Sequence, residues 1–72
     1  MHQQRQVLVI YNEDDSVTIE VPSLPGCVTQ GDTLEEALAN VREAIDLYIE
    51  VLIEDREPVP EDYPRPLEVM MA

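Results

Sequence analysis

Seventy-two residues make one domain, and a chain this short buries only about 60% of the surface its unfolded form exposes, so help from a partner or a second copy is expected. Sixteen Asp and Glu against four Arg and no Lys give a formal net charge of −12, which repels phosphate backbones and argues against direct nucleic-acid binding by the chain alone. The same field attracts basic proteins, although acidity also serves simply to keep a small domain dissolved.

Cys27 is the single cysteine and cannot pair within the chain, which fits a reducing, cytoplasmic compartment. The polar Met-His-Gln-Gln-Arg-Gln start is not that of a signal peptide, and no apolar run exceeds five residues, so neither export nor a membrane span is expected.

In chain order, Val7 to Tyr11 is a short β-branched apolar run, and Val17-Thr18-Ile19-Glu20-Val21 alternates with period two. Both read as strands, joined through the turn-forming Asn12-Glu13-Asp14-Asp15-Ser16 into a hairpin. Pro22-Ser23-Leu24-Pro25-Gly26 then breaks the ladder, because proline cannot donate a backbone hydrogen bond and glycine accepts positive φ. A third short strand, Cys27 to Gln30, follows.

Thr33, with Glu36 three residues on, has the spacing of a capping box, and Glu35 and Glu36 suit the positive end of a helix dipole. From Leu34, the residues Leu34, Ala37, Leu38, Val41, Ala44, Ile45, Tyr48, Ile49 and Leu52 fall on one stripe, predicting an amphipathic helix of about twenty residues against a sheet. Leu47, Val51 and Ile53 lie at or beyond the edge of that stripe. Leu47 and Val51, four residues apart, with Glu43, Asp46 and Glu50 on the polar face, form the candidate interface. Four prolines between Pro58 and Pro66 predict an extended return path, and Leu67 to Met71 a last strand.

No catalytic constellation is present. His2 and Cys27 are isolated and unpatterned, so no zinc site assembles, and Asn12 to Ser16 lacks the glycine and distal Glu of a calcium loop. The expectation is a non-enzymatic protein with no metal and no cofactor.

The stretch Val21-Pro22-Ser23-Leu24-Pro25-Gly26-Cys27-Val28-Thr29-Gln30-Gly31-Asp32-Thr33-Leu34-Glu35-Glu36-Ala37 closely resembles the signature of the HicB-like antitoxin family, and the likeness runs on to Glu57-Pro58-Val59-Pro60. Its residues Pro22, Leu24, Pro25, Gly26, Cys27, Thr33 and Glu36 read as a fold signature: they re-aim the chain, fill a tight site and cap a helix. Ser23 stands where Asp is common in the family and Arg56 where Gly is common. The second strand lacks the aromatic residues often found there. A C-terminal DNA-binding segment, carried by many members, is expected to be missing, which puts operator binding in doubt.

The resemblance implies an α+β fold like a truncated ribonuclease H core: a three-stranded antiparallel meander, one amphipathic helix, and a fourth strand returning beside the first. The metal-binding carboxylates of ribonuclease H have no counterpart in Val7-Leu8-Val9-Ile10-Tyr11. It also implies a partner, a small basic HicA-like toxin RNase with a double-stranded-RNA-binding-like fold and a catalytic histidine, held inactive in a protein complex. The alternative is an orphan homo-oligomeric domain of the same fold with no toxin. A homo-oligomer, most simply a two-fold dimer, is expected in either case, because one helix leaves one face of the sheet uncovered and a first strand without a charged outward set makes that face apolar.

Overall fold

The structure, a computed structural model, describes residues 4–71. Strands β1 (Leu8–Tyr11), β2 (Val17–Glu20) and β3 (Val28–Gly31) form an antiparallel sheet in the order β1-β2-β3, followed by helix α1 (Leu34–Glu54). The register pairs Leu8 with Glu20 and Tyr11 with Val17, then Val17 with Gly31 and Glu20 with Val28. This is the expected α+β meander and helix, with each strand a residue shorter than or displaced from its predicted span.

The hairpin closes through Asn12 N–H to Ser16 O (2.9 Å) and Asp15 N–H to Asn12 O (3.1 Å), with Asp15 in the left-handed region at φ 70°. Asp tolerates that conformation better than most residues. The Pro22-Ser23-Leu24-Pro25-Gly26 segment then makes a compact corner. Leu24 N–H donates to Val21 O, Cys27 N–H to Leu24 O and Val21 N–H to Cys27 O, each at 3.0 Å, and Gly26 supplies the positive φ of 83°. Leu24 is driven wholly inside by this corner, and Cys27 is buried beside it.

Helix α1 starts as predicted: Thr33 is extended, and its Oγ1 accepts the Glu36 N–H at 3.1 Å. Its buried stripe is Ala37, Val41, Ile45 and Ile49, with Leu38, Ala44 and Tyr48 packed alongside, whereas Leu34 keeps 38% of its surface exposed. The stripe meets Val17, Ile19, Val21, Leu24 and Cys27 to make the core. The helix stands over β3 and β2 and leaves β1 at the margin.

Gly31 is the point where helix and sheet come closest. A Cβ there would lie 2.5 Å from Ala37 N and 2.9 Å from Ala37 Cα, both backbone atoms that cannot step aside. The helix ends in a Schellman arrangement: Glu57 N–H reaches Leu52 O (2.9 Å), Arg56 N–H reaches Ile53 O (3.1 Å), and Arg56 sits at φ 57°.

Beyond the helix the chain returns toward the start of β1, as the proline pattern predicts. Val59 packs on the core, and Gln6 receives the rest. Gln6 N–H donates to Asp62 Oδ2 (2.8 Å), its Nε2 to Tyr63 O (3.1 Å) and Arg65 O (2.6 Å), and its Oε1 accepts Leu67 N–H (2.9 Å). Among the described residues the sheet has three strands, and the fourth strand expected over Leu67 to Met71 is not among them. The Leu67 N–H meets the Gln6 side chain, and Val69, Met70 and Met71 are exposed.

Two stability measurements follow. Gly31→Ala should destabilise the fold by about 2 kcal/mol or more, read as a lower denaturant midpoint, because either β3 or the first turn of α1 must move. Arg56→Gly should raise the midpoint, a stability gain of roughly 0.5–1 kcal/mol: it removes the left-handed penalty of about 1–2 kcal/mol, partly offset by the freedom glycine adds to the unfolded chain.

Candidate interaction groove on helix α1

Between the corner and the helix lies an open groove of about 360 Å³, lined by Gly26, Cys27, Val28, Ala44, Leu47, Tyr48, Val51 and Leu52. Its origin is local. Gly26 has no side chain to fill the space, and a Cβ there would meet nothing within 4 Å. Tyr48 braces one wall by donating its hydroxyl to Pro25 O at 2.7 Å. The lining is apolar, yet Leu47 is 62% exposed, Val28 51% and Val51 46%.

The candidate interface residues are partly brought together. Leu47 and Val51 both line the groove, as their four-residue spacing requires. Glu43 and Glu50 are exposed and lie on either side of Leu47 along the helix. Glu36, Glu43 and Glu50 recur every seven residues, about two turns, and with Glu54 form an exposed acidic column one step round the helix from Leu47. Asp46 stands farther round, half-buried and engaged in an interaction of its own, so it does not border the groove. The fold-signature residues occupy structural positions: Pro22, Leu24, Pro25, Gly26 and Cys27 make the corner and floor, Thr33 the cap, and Glu36 supplies the capped N–H.

Sequence reasoning missed the part played by Val28 and Gly26. Val28 reads as one more residue of a strand, and its exposure at the groove mouth depends on where the helix crosses β3.

Other surfaces are more mixed. The sheet face away from α1 carries Leu8, Ile10 and Val28 among Thr18, Glu20 and Gln30. There Thr18 Oγ1 accepts from Asn12 Nδ2 (2.9 Å) and Gln30 Nε2 (3.3 Å), so the face expected to be apolar has a hydrogen-bonded centre. A second groove, lined by Gln4, Arg5, Val7, Leu38, Val41, Arg42 and Ile45, holds two of the four arginines. Arg5 Nη1 also donates to Ser23 Oγ (3.1 Å), a role for the serine that departs from the family pattern. At the hairpin end, hydrogen bonds from the Ser16 hydroxyl and N–H hold the Asp14 carboxyl below the ordinary carboxylate range.

Among the described residues no group of three or more His, Cys, Asp or Glu could hold a metal ion, and no helix is long and apolar enough to cross a membrane. His2 lies outside the described residues.

The model of the HicB_like antitoxin of bacterial toxin-antitoxin systems matches residues 6–72. The chain belongs to the HicB-like antitoxin family. Relatives agree with the assignment. A UPF0150 protein of Thermoplasma acidophilum is 48% identical over 56 residues, covering 78% of this chain and 81% of its own. One from Synechocystis is 58% identical over 41 residues, 57% of this chain and 52% of its own. An uncharacterized 14.9 kDa protein of Haemophilus phage HP1 is 42% identical over 57 residues, 79% of this chain but only 43% of its own. The HicB-like family is one of antitoxins and not of enzymes, which agrees with the reading of this chain as non-catalytic.

In this HicB-like chain burial pushes the Cys27 thiol up from its ordinary 9.0. Folded protein should therefore react slowly with iodoacetamide at pH 8, and denatured protein fast. The sign for stability follows: the unfolded thiol ionises first, so the contribution of this group is intact below about pH 9 and lost as pH rises toward the folded value. A Cys27→Ala variant should lack that alkaline loss; an identical pH profile would show that the thiol is not its source.

Proposed function

We propose that this domain is an antitoxin that neutralises a small basic HicA-like toxin RNase by forming a protein–protein complex in the cytoplasm. The observation that carries the reading is an antitoxin-family fold with an open apolar groove adjoining an exposed acidic column, on a chain of net charge −12. An acidic surface laid over the basic RNA-binding face of a nuclease competes directly with RNA.

The complex is proposed to contain this chain as a homo-oligomer, most simply a two-fold dimer through the sheet face that α1 leaves uncovered. In that assembled state Leu67 to Met71 adds to the free edge of β1 as a fourth strand, giving the truncated ribonuclease H-like sheet. The alternation of Leu67, Val69 and Met71 supports this, as does the Leu67–Gln6 contact just before β1. Operator binding is not part of the proposal for the chain alone, since its charge opposes phosphate contact.

Co-expression with a small basic HicA-like toxin RNase should relieve the growth arrest that the toxin causes and yield a complex on gel filtration. Steering by exposed charge should make association fall steeply with salt, while dissociation, governed by apolar contacts, changes much less. Absence of any complex would overturn the antitoxin role. An association rate indifferent to salt would reduce the acidity to a solubility device.

A further inference from the structure

We propose that the groove between β3 and α1 is the seat of a basic amphipathic helix of the partner. Its apolar side chains rest on Leu47, Val51 and Val28, and its lysines or arginines face Glu43, Glu50 and Glu54. This rests on the antitoxin reading and deepens it by naming the surface and the chemistry of what it holds.

The occupant is chosen by charge and by backbone accounting. A second copy of this chain is unsuitable, because a two-fold pairing along α1 would set the acidic columns close together, and the chain has no lysine with which to relieve them. The chain's own tail is apolar, but it is held beside Gln6 at the β1 side, across the sheet from β3. A nucleic acid is repelled by the column. On the outer edge of β3 the Gln30 carbonyl already accepts Asn40 Nδ2 at 2.8 Å, which interrupts the ladder an added strand would need.

A helix satisfies its own backbone and needs only side-chain contacts. Ala44 to Leu52 extends about 12 Å, roughly two turns of a facing helix, and the seven-residue repeat of Glu43 and Glu50 matches cations placed seven apart on such a helix. Apolar residues at the intervening three- and four-residue spacings then fall into the groove, with the salt bridges on one flank only. That asymmetry sets the direction in which the helix lies.

The test uses the full chain and a fluorescein-labelled, end-capped synthetic helix of about fifteen residues, with leucines on one stripe and lysines along one flank. Binding is read by anisotropy and by backbone amide shifts. The lysine peptide should bind and shift Ala44, Leu47, Val51 and Val28, and its glutamate counterpart should not. Leu47→Glu should weaken binding by about tenfold or more, and since Leu47 is largely exposed the circular dichroism should not change. Glu43→Lys with Glu50→Lys should reverse the preference toward the glutamate peptide, while Ile10→Glu on the other sheet face should leave binding unaltered. Equal binding to wild type and Leu47→Glu, or loss on Ile10→Glu, would overturn the assignment.

Repeating Leu47→Glu in the co-expression assay separates the two claims. If wild type and variant neutralise the toxin equally, the groove assignment fails and the antitoxin reading stands. A groove that binds the peptide on a chain that forms no toxin complex fails the antitoxin reading alone.

Discussion

The approach of α1 to β3 at Gly31 is the constraint on which the rest of the structure depends. With only a hydrogen where any other residue has a Cβ, the first turn of the helix rests directly on the last residue of the strand. Thr33 can then cap within two residues, and the helix axis is fixed low over β2 and β3. Ala37, itself small and fully buried, continues the contact. Were the helix raised by the thickness of a methyl group, Val41 and Ile45 would lose part of their packing in the core they share with Val17 and Ile19. The groove also depends on this setting, since its depth is what remains between the corner and a helix held at that height.

Much of this was legible in the residues, for reasons that can be named. The Thr33 cap, the helix stripe and the hairpin all rest on local chemistry: hydrogen-bond donors that need partners, and periods of two and 3.6. Leu47 and Val51 stood out because they break the period. What local chemistry does not contain is where two distant segments meet. The contribution of Gly26 and Val28 to the groove depends on the crossing of α1 over β3. The separation of Asp46 from the groove depends on which side of the helix faces the corner. The last strand belongs to the same class: whether Leu67 to Met71 pairs depends on what lies along the free edge of β1, which its own residues do not contain.

The two halves of the helix serve different ends. Its first half is committed to the core and the cap. Toward the C-terminus, Leu47, Val51 and Ile53 stay uncovered in a domain too small to waste apolar surface, and carboxylates flank the first two. Apolar exposure with one sign of charge beside it suits a hetero-partner better than self-association, because the same charge that attracts a basic surface keeps identical helices apart. Homo-oligomerisation, if it uses the sheet face, is thereby kept on separate ground from partner binding.

The hydrogen bonds around Gln6 act as a buckle between parts of the chain up to 61 positions apart. Unlike a disulfide, it closes a long loop without covalent chemistry and can be undone reversibly by solvent. Of the residues beyond the helix, Val59 is the one packed against the core, so undoing the buckle releases the final stretch of chain almost as a unit while the sheet and helix stay intact. The end piece is thus tied to the fold by the hydrogen bonds at Gln6 and one core contact, and not by the sheet.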